Sequence, residues 1–234
     1  RYTYIPFIGL YLILTWGASV LFGKWRYKKI ALSVITTVIF FVLITTTWAQ
    51  VSYWKNSTRL FEHALSVTKG NYVIHNNLGF ELSLQGQEDR ALKHYQQALR
   101  INPEFEKTHV NFGSLLFSQA KVEESFAYYQ AVLNARPDFA GVHYNFGVLL
   151  LKIGRVDEAI VHFQEALRIK PDFAEAYNSL GAAMVSKEKI SEAIAHFKTA
   201  LKIKPTLADA RANLEILSAY IRADAAQKII IDFK

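Results

Sequence analysis

The side chains that could do chemistry in this chain recur along it instead of gathering. His75, His109 and His143 form one set and His94, His162 and His196 another, with every step a multiple of 34 residues. A metal ion needs ligands converging at about 2 Å, whereas equivalent positions of successive repeats stack apart. No His-Glu-x-x-His pattern occurs, so no metal site is expected. Cysteine is absent, which removes disulfides and thiolate chemistry. No Asp or Glu precedes Glu62, and the later ones, such as Glu123 and Glu124, read as solvated helix surface. No Gly-rich phosphate loop and no Ser/His/Asp arrangement stands out. Neither a catalytic residue nor a cofactor is expected.

Asparagine is the remaining candidate. Asn77, Asn111, Asn145 and Asn213 recur at one site, with Ser179 holding it in the fourth repeat and Asn76 and Asn178 beside it. A carboxamide carries both a donor and an acceptor, so a row of them can pair with the backbone of a bound peptide. The same row can instead bond within the scaffold. On the first reading, Asn111→Ala and Asn145→Ala weaken peptide capture without lowering the melting point. On the second, stability falls by a large amount instead.

The elements that carry this row follow from the period. Pro103, Pro137, Pro171 and Pro205 lie 34 residues apart, and Gly79, Gly113, Gly147 and Gly181 keep the same step. Leu78, Phe112, Phe146 and Leu180 do too, as do Tyr95, Tyr129, Phe163 and Phe197. Glycine on a first helix lets a second approach closely, an aromatic fills the space between them, and proline ends the pair. This pattern is identified as the tetratricopeptide repeat. Four full units are expected at 72–105, 106–139, 140–173 and 174–207. A half unit is expected at 56–71, a lone second helix, and a capping helix with a tail at 208–234. The resemblance implies an all-α, right-handed superhelix whose first helices line a concave peptide-binding surface. The asparagine row resembles that of the O-linked N-acetylglucosamine transferases.

Residues 1–55 belong to a different solvent. Residues 2–23 and 30–54 carry no charge, and about 20 apolar residues cross a bilayer core. Two transmembrane helices are expected, over about 4–22 and 30–50, forming a membrane hairpin in 1–55. The loop 23–29 holds Lys24, Arg26, Lys28 and Lys29, which places it in the cytoplasm. Trp25 and Tyr27 suit one interfacial belt; Tyr2, Tyr4, Trp48, Tyr53 and Trp54 suit the other. Everything after Trp54 then lies outside the cytoplasm: in the periplasm if the membrane is a bacterial inner (plasma) membrane, in the lumen if it is the ER membrane. A cleaved signal peptide needs a basic start and a shorter apolar core, and the first run has neither. Thr36, Thr37, Thr45, Thr46 and Thr47 either face neighbouring helices or bond back to their own helix. Asn56-Ser57-Thr58 matches a glycosylation acceptor.

The formal charge of +7 is concentrated in 1–55, where six basic residues meet no acid. The repeats are almost neutral, so nucleic-acid binding is not expected. The chain opens on Arg1 and is read as a piece of a longer protein.

The opening RYTYIPFIGLYLILTWG, the basic loop, the second span and YWKNSTRLFEHAL before the repeats form a further combination. It resembles the C-terminal part of the protein O-mannosyltransferase-like group and of the transmembrane and tetratricopeptide repeat-containing proteins. That resemblance implies a lipid-linked sugar donor and transfer to a protein outside the cytoplasm. The family's acidic catalytic residues lie in an early loop that has no counterpart here. Arg1, Tyr2 and Tyr4 either contact a lipid phosphate, such as that of a polyprenyl-phosphate sugar, or anchor the interface. Two functions are expected as alternatives: the substrate-recruiting end of a membrane glycosyltransferase, or an anchored scaffold for envelope protein assembly without chemistry of its own.

Overall fold

The computed structural model describes Gly17 and residues 27–54 and 56–232, and its described residues are all helix, turn and loop. They divide into two units, with the boundary between His63 and Ala64. The first span (4–22) and Arg1, Tyr2 and Tyr4 lie outside what is described, Gly17 excepted.

In the first unit, α1 runs over Lys28–Trp54, 27 residues, and contains the second expected span. Its apolar side chains cover every face: Val34, Ile35, Val38, Phe41, Val42, Ile44 and Trp48 are all exposed. The threonine hydroxyls turn inward to their own helix. Thr37 donates to the Ser33 carbonyl (2.9 Å), Thr45 to Phe41 (2.9 Å) and Thr46 to Val42 (2.7 Å). Among the described residues no helix is long and apolar enough to cross a membrane. α2, Ser57–Val67, opens where the Asn56 side chain accepts the Thr58 N–H (2.8 Å) and straddles the unit boundary.

The second unit is a series of helix hairpins. α3 (Tyr72–Leu84) pairs with α4 (Glu88–Ile101), and α5 (Glu106–Ser118) with α6 (Val122–Ala135). α7 (Ala140–Lys152) pairs with α8 (Val156–Ile169), α9 (Ala174–Ser186) with α10 (Ile190–Ile203), and α11 (Ala208–Asp232) follows. First helices lie side by side, α3 on α5 on α7 on α9 on α11, and each second helix also packs on the next first helix. Acids open the second helices, for example Glu88 and Asp89 or Asp157 and Glu158, where the helix dipole favours them.

The glycine–aromatic register explains the close approach within a hairpin. Tyr95, Tyr129, Phe163 and Phe197 are at most 1% exposed. A Cβ on Gly79, Gly147 or Gly181 would sit 2.6–2.7 Å from the ring of Tyr95, Phe163 or Phe197 respectively. At Gly113 the Tyr129 ring is seated more deeply, at 2.4 Å. Its hydroxyl there donates to the Val110 carbonyl (3.2 Å).

The turn inside each hairpin needs one left-handed residue. Gly86 and Gly154 supply it, but Ala120 (φ 58°) and Glu188 (φ 59°) adopt it as well. A side chain there costs about 1–2 kcal/mol, and glycine's extra freedom in the unfolded chain returns part of that difference. Glu188→Gly should therefore raise stability by about 0.5–1 kcal/mol, read as a higher urea midpoint at unchanged slope. A lower midpoint would mean the side chain holds the turn by a contact that outweighs its strain.

The end of the solenoid differs from expectation. α11 continues to Asp232 through the segment read as a tail. Residues 208–232 contain no glycine or proline, so nothing stops the helix. Glu215 stands where the other first helices carry glycine.

Candidate peptide-binding groove

The first helices place the asparagine row at one register position, and the structure divides its members by burial. Asn76 is 4% exposed. Its Oδ1 accepts from the Thr108 hydroxyl (3.1 Å) and from Asn111 Nδ2 (3.0 Å). Its own Nδ2 donates to Asn77 Oδ1 (3.2 Å). Asn76 thus joins the first helix hairpin of the solenoid to the next. Asn213 and Asn178 repeat the link at the far end, Nδ2 to Oδ1 at 3.0 Å. Asn145 donates from Nδ2 to the Gly141 carbonyl (2.8 Å) and accepts from Ser114 (3.4 Å). Asn77, Asn111, Asn145, Asn178 and Asn213 are partly exposed. Asn111, Asn145 and Asn213 each commit one of their two Nδ2 hydrogens to the scaffold, which leaves a second hydrogen and an Oδ1 lone pair for a ligand.

Asn111 also lines an open pocket of about 250 Å³ between α5, the start of α7 and the turn before α9. Lys107, Val110, Lys170 and Phe173 complete its walls together with Glu106 and Gly141. The Lys170 ammonium lies 4.8 Å from the centre of the Phe173 ring, a cation–π contact. Glu106 accepts the Gly141 N–H. A Cβ on Gly141 would come within 3.0 Å of that carboxylate, so glycine is what lets the carboxylate reach the backbone. Lys204 pairs with Glu175 at 2.7 Å, and this hydrogen bond holds the Glu175 carboxyl below its usual range. The pocket offers apolar wall, two cations and acceptor oxygens, which suits a peptide side chain more than a reaction.

The histidine sets meet in a way the spacing alone did not reveal. The first-helix position faces the second-helix position 19 residues later. His75 and His94 approach Nδ1 to Nδ1 at 3.0 Å, and His143 and His162 at 2.9 Å. His109 meets the Tyr128 hydroxyl at 2.8 Å, and Tyr177 stacks on His196 with centroids 6.1 Å apart. The His143 and His162 centroids are 5.2 Å apart. That is the nitrogen separation plus roughly 1.2 Å of ring at each end, a head-on hydrogen bond. Among the described residues no group of three or more metal-ligating side chains occurs.

Family comparison decides what the hairpins are. A tetratricopeptide-repeat family model matches residues 72–105 and another matches 174–207; a third repeat model matches 149–187. Residues 72–105 and 149–207 are tetratricopeptide repeats. The chain resembles an O-mannosyl-transferase of Caenorhabditis elegans, 29% identical over 107 residues, which is 46% of this chain and 15% of that one. It also resembles human Protein O-mannosyl-transferase TMTC4, 28% identical over 95 residues, 41% of this chain and 13% of the relative. The tetratricopeptide-repeat chain therefore spans only a small part of these relatives' length. Among solved structures, MamA matches with a TM-score of 0.50 at 23% identity, over 64% of this chain and 88% of its own. An engineered MamA double mutant matches at 0.50 and 18%, over 72% and 95%. At such identity the likeness shows the repeat fold alone.

Proposed function

We propose that the repeats capture an extended segment of a protein or peptide along the first-helix face, centred on the pocket at Lys107, Asn111, Lys170 and Phe173. The observation that carries this reading is the row of partly exposed carboxamides leading into a pocket that is charged and apolar at once. Asn77, Asn111, Asn145, Asn178 and Asn213 make up the row, and Asn76 supports it from below.

The repeats are held at a membrane by a hairpin in 1–55, with units at 72–105, 106–139, 140–173 and 174–207 outside the cytoplasm. Support comes from α1, whose apolar side chains point outward on every face, and from the basic residues before it. Arg1, Tyr2 and Tyr4 sit at the outer interface, near a polyprenyl-phosphate sugar. On this reading the repeats are the substrate-recruiting end of a membrane glycosyltransferase, which the likeness to the O-mannosyl-transferases supports.

The chain lacks cysteine, which allows a direct test. Ser66→Cys, in intact cells, should react with a membrane-impermeant maleimide before lysis, and the protein should stay in the membrane at alkaline pH. Labelling only after lysis, or release into the alkaline supernatant, would refute the placement.

A further inference from the structure

The paired rings inside each hairpin differ in what a proton does to them. The His143 Nε2–H donates to the Pro137 carbonyl (3.1 Å). Its Nδ1 is therefore a lone pair, and His162 must supply the proton between the rings from its own Nδ1. His162 Nε2 is then the basic site of the pair. A first proton lands there and leaves the bond between the rings intact. A second proton has only His143 Nδ1 left to bind, and there it sets N–H against N–H at 2.9 Å. In unit 2 the partner is a hydroxyl. Tyr128 donates to a neutral His109 and accepts from a protonated one, so that pair survives either state. His109 makes the same anchor to the preceding turn, with Nε2 2.7 Å from the Pro103 carbonyl.

We propose that the His143–His162 pair is an acid-operated clasp, holding α7 on α8 while it carries at most one proton and releasing them when a second arrives, whereas the His109–Tyr128 pair of unit 2 stays closed. Glu106 from α5 and Glu165 and Arg168 from α8 face His143; Glu158 and Glu165 face His162. The carboxylates favour a charged ring, but burial outweighs them. It lowers His143 and, with the neighbouring ring, pushes His162 down to about 4. The folded hairpin therefore binds fewer protons than the unfolded chain below pH 6.5, the ordinary histidine value. Stability falls progressively as the pH drops from there towards 4. His143 sits one turn from the pocket wall formed by Ala140 and Gly141, so opening the clasp loosens that edge of the groove.

The test is hydrogen exchange on the full chain between pH 7 and 4.5, corrected for intrinsic rates, with α5–α6 as the reference inside the same molecule. Protection of α7–α8 should fall relative to α5–α6 by about fiftyfold, the linkage expected for a ring lowered from 6.5 to about 4 and read at pH 4.5. His162→Tyr installs the unit 2 pair in unit 3 and should abolish the difference. Equal loss in both hairpins, or an unchanged difference in His162→Tyr, overturns the clasp. Imidazole nitrogen spectra of the unsubstituted chain decide it even if the variant misfolds. They should show His143 protonated on Nε2 and His162 on Nδ1 at pH 7.5, and two rings titrating independently near 6.5 would contradict it.

Discussion

Gly147→Ala should destabilise the solenoid by about 2 kcal/mol, although alanine is the better helix former. The added methyl would lie 2.7 Å from Cε1 and 2.8 Å from Cδ1 of Phe163. Phe163 is fully buried, and a ring wedged between two helices has no rotamer to retreat into. Overpacking of this kind costs about 1–3 kcal/mol or more, and the helix-propensity gain of about 1 kcal/mol offsets part of it. Shrinking the ring should relieve the clash. In the pair Gly147→Ala with Phe163→Leu, the loss should therefore be smaller than the sum of the single losses by at least ~1 kcal/mol. Additive losses in denaturant melts would mean that the glycine serves something other than the approach of α7 to α8.

Asn76→Ala is the second large effect. The substitution removes the acceptor of the Thr108 hydroxyl, which is fully buried, and of the Asn111 amide. Stranding a buried donor costs about 1–3 kcal/mol, so a loss of about 2–3 kcal/mol is expected. Adding Thr108→Val removes the stranded hydroxyl and should recover about 1 kcal/mol. Asn111→Ala should cost less, about 1 kcal/mol, because Asn76 keeps Thr108 as a donor. If Asn76→Ala melts with the unsubstituted chain, the residue is not the joint that its geometry describes.

These two positions also show what sequence reasoning could reach. The glycine and its aromatic partner share one period, so each repeat states the packing again and the hairpins are legible from spacing. Asn76 and Asn77 read alike in sequence, yet neighbours on a helix point about 100° apart. One is buried against Thr108 and the other is partly exposed, and no spacing rule separates them. The histidine pairs were hidden because each contact crosses between helices 19 residues apart. A signal existed: positions 75/94, 109/128, 143/162 and 177/196 all carry histidine or tyrosine. The pocket was half legible. Asn111 came from the repeat register, whereas Lys170 and Phe173 belong to a turn that only the stacked hairpins bring beside α5. The extent of the last helix, to Asp232, is not legible from the period, because its bounding prolines end with Pro205.

The central claim is that the first-helix face captures polypeptide, and site-specific photo-crosslinking tests it most directly. A benzophenone amino acid replaces Lys107 at the pocket in one variant and Lys198, on the exposed side of α10, in another. Each is irradiated with the same library of random dodecapeptides. The account predicts peptide adducts at position 107 and few at 198, reduced when Asn111 and Asn145 are also changed to alanine. Equal labelling at both positions, or adducts indifferent to the asparagines, would contradict it.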